Sequence, residues 1–311
     1  MANAVIERAH QLAAIEAAKS RRRKAVLHYA ERAAIYTVLT SGAVAFLFPL
    51  WWMLATSLKT LEQTFPDIGT PLIEQIFPNP YVVENYIDVL GSSAWHGYFL
   101  NSTVMTLGSV IGQVLTASLC AFAFARLRWP GRNSLFILVL ATMMLPYQVT
   151  LIPQFLIFSG NSPLPFPVIT NTFWPFWFPS FLGGGAFSIF LLRQFMLSLP
   201  IELDEAATID GAGPGTIYAR IIVPQIFPAL ATVGIFAMQA HWNALLQPVI
   251  YLSKTANFTV VQGLLQYQTQ SEVEWNQLMA ASVLVMLPPL LLFFFAQRYF
   301  IEGISLTGIK G

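Results

Sequence analysis

The 311-residue chain is 56% hydrophobic and only 10% charged, with a formal net charge of +1. A soluble domain carries about 25% charged residues, so this sequence lacks the polar surface a water-facing domain needs and falls in the membrane class. The near-neutral balance gives a nucleic-acid partner no footing. The single cysteine, Cys120 in "TASLCAFAF", excludes an intrachain disulfide and reads as a small buried hydrophobe.

Residues 1–32 are charged and Ala-rich and read as a cytoplasmic helical segment that holds the first anchor. The stretch "KSRRRKAVLHYAERAAIYTVLTSGAVAFLFPLWWML" imitates a signal peptide, but its apolar run continues to Leu54, longer than a signal core, so an uncleaved first span is expected. Six apolar segments approach or exceed the roughly 20 residues that cross a bilayer core of about 30 Å. They lie near Ile35–Leu58, Tyr98–Ala125, Ser134–Phe158, Thr172–Leu192, Pro224–Ile250 and Leu278–Gln297, and none contains Asp, Glu, Lys or Arg. The expected fold is therefore an all-α integral membrane protein with six transmembrane helices. Its membrane domain covers 33–300, with a loop over 193–223 between spans four and five and a tail over 301–311.

The basic residues set the orientation. With a cytoplasmic N-terminus, the inside collects Arg8, Lys19, Arg21, Arg22, Arg23, Lys24, Arg32, Arg126, Arg128, Arg132, Arg193, Arg220, Arg298 and Lys310, leaving Lys59 and Lys254 outside. The positive-inside rule then places both termini in the cytoplasm.

Between the spans, 59–97 is a long external loop carrying Glu62, Asp67, Glu74, Glu84 and Asp88, and 159–171 is short, uncharged and Pro-rich. Pro146, Pro153, Pro175 and Pro179 predict irregular spans. Gly183-Gly184-Gly185 predicts either a kink or close packing. Trp174 and Trp177 fit an interfacial aromatic belt, with sugar stacking as the other reading. Polar groups in the spans include Asn101, Gln113, Gln148, Gln154, Gln239, His241 and Asn243. Each has two readings, a hydrogen bond between helices or a place on a solute pathway. Asn101, Gln148, Gln239 and Asn243 are the pathway candidates.

The polar exception is "ELDEAATIDGAGPGTIYARIIVP", 202–224. Pro200 suits a helix start, and Glu202, Asp204 and Glu205 complement its positive end. Gly211 permits the positive φ that ends a helix, and a second helix is expected from near Thr216. Local physics allows a solvated connector or a plug that fits a groove on another protein.

The run Glu205-Ala206-Ala207, then Gly211, then Ile221-x-Val223-Pro224 resembles the signature EAA-x3-G-x9-I-x-L-P of membrane subunits of binding-protein-dependent ABC importers. Every spacing is kept, and valine stands at 223 where leucine is usual. "FPLWWMLATSLK" (48–59), "CAFAFARLRWPGRNSLF" (120–136), "ATMMLPYQVTLIPQF" (141–155) and "HWNALLQPVIYL" (241–252) are similar to the carbohydrate branch, the maltose and glycerol-3-phosphate type. The resemblance implies that the loop carries a coupling helix docking on an ATP-hydrolysing subunit. Its coupling residues would be Glu202, Asp204, Glu205, Ala206, Ala207, Asp210, Gly211, Ile221 and Pro224. It implies a homologous second permease subunit, two ATP-binding cassette subunits that hold ATP and Mg, an extracytoplasmic solute-binding protein, and a multi-pass place in the bacterial plasma membrane. The tail "IEGISLTGIKG" reads equally as a frayed end or as a segment near the ATPase pair.

The chain itself carries no G-x-x-x-x-G-K-[ST] phosphate loop, and no cofactor or catalytic residue is expected in it. His10, His28, His96 and His241 are scattered, with no metal-ligand spacing. An ion-coupled secondary carrier is the alternative; it calls for intramembrane charges that the spans lack.

Overall fold

In a chain this apolar, each backbone N–H and C=O inside the bilayer has to find its partner within its own segment, and helices result. The computed structural model describes residues 2–268 and 273–308, with side chains over 27–268 and 273–297. Among the described residues there is no strand, only an isolated bridge between Gln268 and Val273. The last three tail residues lie outside the described part.

The first helix runs unbroken from Ala2 to Ser57, so the charged segment 1–32 and the apolar segment after it share one helix. Its apolar stretch Leu27–Ser57 is exposed almost throughout, with Phe46 at 88%, and only Ala55, Thr56 and Ser57 at its end are buried. The spine of the molecule is the Ser93–Ala125 helix. It packs against Trp174–Phe181, Ala186–Ser198 and Phe227–Trp242, while the last helix, Trp275–Gly308, joins Phe227–Trp242 to the first helix. Small residues let these backbones approach. Gly108 faces the Trp177 ring and Gly112 the Phe181 ring; a Cβ would overlap the Trp177 indole nitrogen in the first case and come within 2.5 Å of the Phe181 ring in the second. Trp177 also donates its indole N–H to the Met105 carbonyl at 3.1 Å, so it belongs to a helix interface, whereas Trp174 is exposed.

Four helical stretches are long and apolar enough to cross a membrane: Leu27–Ser57, Ser93–Ala125, Trp174–Ser198 and Trp275–Gln297. Two further expected spans are bent. Ser134–Phe158 becomes Arg132–Thr142 and Tyr147–Phe158, at 96° to each other. The break falls at Pro146, which cannot donate to a helix ladder and drives Leu145 away from helical geometry. The fifth expected span, Pro224–Ile250, holds the Phe227–Trp242 helix, which the preceding Pro214–Gln225 stretch meets at 78°, and gives way at Asn243 to a short helix, Leu246–Tyr251.

On the side away from the 202–224 segment, two loops close over the helix ends. Asn101 donates to the carbonyls of Ala256 (2.8 Å) and Phe258 (3.0 Å). Asn85 donates to Ser57 and Lys59 at 2.9 Å each. Lys59 is buried; its ammonium donates to the Gln75 carbonyl and lies 5.1 Å from the Trp52 ring centroid. Burial pushes its pKa below the ordinary lysine value.

The glycine triplet both kinks and packs. All three residues have positive φ, and a Cβ on Gly184 would overlap the Gln113 carbonyl oxygen and stand 2.8 Å from Ala117 Cβ, while Gly185 faces open space. Left-handed backbone costs a non-glycine residue about 1–2 kcal/mol. Gly185→Ala should therefore lower the thermal midpoint of the purified protein modestly. Gly184→Ala, which adds a steric clash to the same strain, should lower it by at least twice as much; equal shifts would contradict the close approach.

Candidate functional site

The 202–224 segment begins where Leu199 takes extended geometry ahead of Pro200, which stops the Ala186–Ser198 helix. A short helix, Glu202–Ile209, follows with Glu202, Asp204 and Glu205 in its first turn. It closes on two backbone bonds, Ala212 N–H to the Ala207 carbonyl (2.9 Å) and Gly211 N–H to the Thr208 carbonyl (3.0 Å). This is the Schellman cap, with Gly211 supplying φ +82°. A Cβ on Gly211 would touch nothing, so backbone conformation, not packing, requires glycine here.

The helix has two faces. Ala207 is buried, with Leu203 and Asp204 half-buried beside it, one turn apart on the same side. Glu202, Glu205, Ala206, Ile209 and Asp210 face outward, and Ile209 is 87% exposed.

Arg126, the residue that caps the spine helix, fixes the inward face. Its guanidinium lies 3.5 Å from Asp204, with side-chain exposures of 4% and 14%. It also donates to the carbonyls of Met196 (2.5 Å) and Leu199 (3.0 Å). One arginine therefore joins the end of the spine, the end of the preceding helix and the first turn of the short helix. Arg193 makes a parallel link, donating to the Phe124 carbonyl at 3.3 Å with its guanidinium 4.1 Å above the Phe136 ring.

The second half of the segment is rooted as deeply. Residues Ile217–Ile222 form a π-helix, a geometry that recurs at functional sites. Ile217, Ile222 and Ile226 are buried in the same cluster as Phe122, Leu192, Met196 and Ala207, with Ala212 and Ile221 packed against it. The Tyr218 hydroxyl meets Ser118 Oγ at 2.6 Å, and its ring lies 5.2 Å from that of Phe122. Pro224 is exposed, inside the short helix Val223–Gln225.

Of the nine candidate coupling residues, then, Asp204, Ala207 and Ile221 turn toward the core, and Glu202, Glu205, Ala206, Asp210, Gly211 and Pro224 lie on the surface. The roles of Arg126, Tyr218 and Ser118 carry no mark in the sequence beyond a cation at the end of an apolar run, which serves topology equally well.

The four pathway candidates do not converge. Asn101 is engaged with the 256–258 backbone as above, and Asn243 donates to the Gln239 carbonyl at 2.9 Å. Gln148 is exposed. Gln239 borders an apolar cleft of about 430 Å³ between the Phe227–Trp242 helix and the last helix, lined otherwise by residues such as Ile235, Met286 and Phe293. A polar group does assemble inside the helices around Gln113, which donates to Ser188 Oγ (2.9 Å) and meets His241 Nε2 at 3.2 Å. Among the described residues no three His, Cys, Asp or Glu side chains converge on a metal site.

A family model described as a binding-protein-dependent transport system inner membrane component matches residues 113–305. The osmoprotective compounds uptake permease protein GgtD of Synechocystis sp. is 35% identical over 231 residues, 74% of this chain and 76% of GgtD. The alpha-glucoside transport system permease protein AglG of Rhizobium meliloti is 33% identical over 235 residues, 75% of this chain and 62% of AglG. A solved bacterial ABC transporter involved in import of the acidic polysaccharide alginate contains a chain that superposes with a TM-score of 0.74 at 19% identity. The match covers 86% of this chain and 95% of that one, so the two share a fold.

Removing one member of a buried ion pair strands the other, at a cost of about 3 kcal/mol or more. Asp204→Asn should therefore lower the thermal midpoint of the purified protein. Arg126→Gln should lower it further, because it also releases the Met196 and Leu199 carbonyls. The two changes together should cost less than their sum; strict additivity would mean that the pair is not coupled.

Proposed function

The chain belongs to the binding-protein-dependent inner-membrane transport components, and from that premise we propose that it is one of two membrane subunits of an ABC importer for a sugar or sugar-like solute. In this reading the chain crosses the membrane six times, two of the crossings bent, with 1–32 and the 301–311 tail in the cytoplasm and 33–300 as the permease domain. The fourteen-to-two distribution of Lys and Arg supports that orientation. The energy comes from two partner ATPase subunits that bind ATP and Mg, and the solute arrives from an external binding protein.

The observation that carries the proposal is the two-faced Glu202–Ile209 helix. Its outer face, Glu205, Ala206 and Ile209, is small and exposed, suited to a groove on another protein, while Asp204 and Ala207 bind it to the membrane core. A partner gripping the outer face would bias a membrane domain with two states by contact alone. The neutral polar group Gln113–Ser188–His241 fits a hydroxyl-rich solute, since it offers donors and acceptors without fixed charge. The relatives' names, an alpha-glucoside permease and a permease for osmoprotective compounds, agree with that class.

The test uses uptake driven by ATP in vesicles with ionophores present. Gly211→Val places a β-branched side chain at φ +82°, a strain of about 1–2 kcal/mol, equivalent to roughly tenfold in an equilibrium. Uptake and ATPase attachment should fall by about that factor or more with membrane insertion unchanged. Gly213→Ala, at φ −77° in open space, should leave both intact. Full uptake in Gly211→Val, or uptake with ATP absent, would overturn the reading.

A further inference from the structure

Beyond the Ser93–Ala125 helix the chain turns back through a short basic loop before the Arg132–Thr142 helix begins. Here Arg128, Trp129, Gly131, Arg132, Asn133 and Ser134 line an open cleft of about 280 Å³. No carboxylate lines it. The one ion pair among the described residues, Arg126 with Asp204, lies elsewhere, so neither Arg128 nor Arg132 has an anionic partner there. Arg128 is exposed, and Arg132 donates only to the Leu127 carbonyl, at 2.9 Å. Arg193 lies within electrostatic reach of Arg132 and adds a third positive charge with no carboxylate of its own. Like charges gathered without a counterion raise one another's energy, and an anion placed among them relieves that cost.

The surroundings say which anion. Directly after the basic residues, Leu135, Ile137 and Leu138 are all exposed, Ile137 at 66%, so an apolar band begins within one helical turn of the cleft. Trp129 lies at the junction, half-buried, its indole N–H donated to the Ala123 carbonyl at 3.2 Å. An indole with its polar edge satisfied, arginines on one side and bare aliphatic side chains on the other describe the headgroup level of a bilayer. The cleft is at the small end of the range for ligand sites, matched to a headgroup and not to a whole lipid.

We propose that this cleft holds the phosphate of an anionic phospholipid from the cytoplasmic leaflet. Arg128 and Arg132 grip the phosphate oxygens through charge-assisted hydrogen bonds, Asn133 and Ser134 offer neutral ones, and the acyl chains lie along Leu135, Ile137 and Leu138. The leaflet assignment rests on the orientation proposed above; binding itself does not. Inorganic phosphate offers the same oxygens without the acyl chains, so the two sources are separable.

The experiment follows lipid retention by the purified full-length chain in native mass spectrometry, with phosphatidylglycerol or phosphatidylcholine added to the detergent solution. Wild type should retain phosphatidylglycerol in preference to phosphatidylcholine, and millimolar inorganic phosphate should not displace it. In Arg128→Gln/Arg132→Gln the retention should weaken roughly twenty-five-fold, about fivefold per arginine, while Lys254→Gln, on the opposite side, should behave as wild type. The wild-type preference stands as its own measurement should the double variant fold poorly. Equal retention of the two lipids by wild type, an unaltered preference in a folded double variant, or displacement by inorganic phosphate would each overturn the proposal. So would a double variant that keeps the lipid but loses ATPase attachment, which would make the cleft a protein contact. Impermeant thiol labelling of Ser134→Cys in sealed vesicles of known sidedness reads the orientation separately, so a wrong leaflet and a missing site give different results.

Discussion

The Arg126 guanidinium sits where three chain directions meet, and the placement of the 202–224 segment depends on it. Two of its acceptors are carbonyls at the end of a helix, where the ladder runs out and positive charge is attracted: Met196, which also accepts the Leu199 N–H at 3.3 Å, and Leu199 itself. The third is the Asp204 carboxylate at the start of the next helix. The planar fork of N–H donors serves all three in a fixed geometry, whereas a lysine ammonium at this position would be a point charge on a flexible stem. Burying the ion pair costs desolvation, and Asp204 Oδ1 and Arg126 Nε have no partner of their own. The arrangement is better explained as a means of fixing geometry than as a source of stability.

Away from that junction the structure follows the logic of packing in lipid, where apolar side chains gain nothing by leaving the bilayer for one another. Close backbone approach replaces hydrophobic driving force. The spine helix offers Gly108, Gly112 and Ala117 to Trp177, Phe181 and Gly184 in turn. Over Leu27–Ser57 the first helix is exposed along nearly its whole apolar stretch. Bilayer or a second membrane subunit has to supply the contacts that this chain does not make with itself.

Much of this was legible in the sequence, because composition and period are enough to identify membrane helices. The expected start of the short helix near Pro200 and its end at Gly211 agree with the Glu202–Ile209 helix and its Schellman cap. Straightness was not legible: Pro146 was flagged as a break in the ladder, but a 96° bend depends on what the two halves pack against. Partnership across long separations was hidden as well. Asp204 and Glu205 are adjacent carboxylates with the same local signal, yet one is half-buried against Arg126 and the other is exposed. Asn101 reads either as a hydrogen-bonding group or as a pathway group in the sequence, and its acceptors lie 155 and 157 positions further along the chain. Residues so far apart in sequence carry no mark of their meeting.

The rooting of the 202–224 segment bears on how a displacement at its surface would travel. Close-packed interiors yield little under load and pass strain to their neighbours. Ala207, Ile217, Ile222 and Ile226 belong to one cluster with Phe122 of the spine and with Leu192 and Met196 of the preceding helix. A push at exposed Ile209 therefore cannot be absorbed within the loop; it has to move the ends of both helices. On its far side the segment enters Phe227–Trp242 at 78°, so motion along the loop becomes tilt of that helix more readily than translation along its axis. The same helix carries His241, hydrogen-bonded to Gln113 on the spine, and Gln113 holds Ser188. A tilt of Phe227–Trp242 would thus strain a polar contact that joins three membrane helices in the interior, which makes that contact a natural place for two arrangements of the helices to differ.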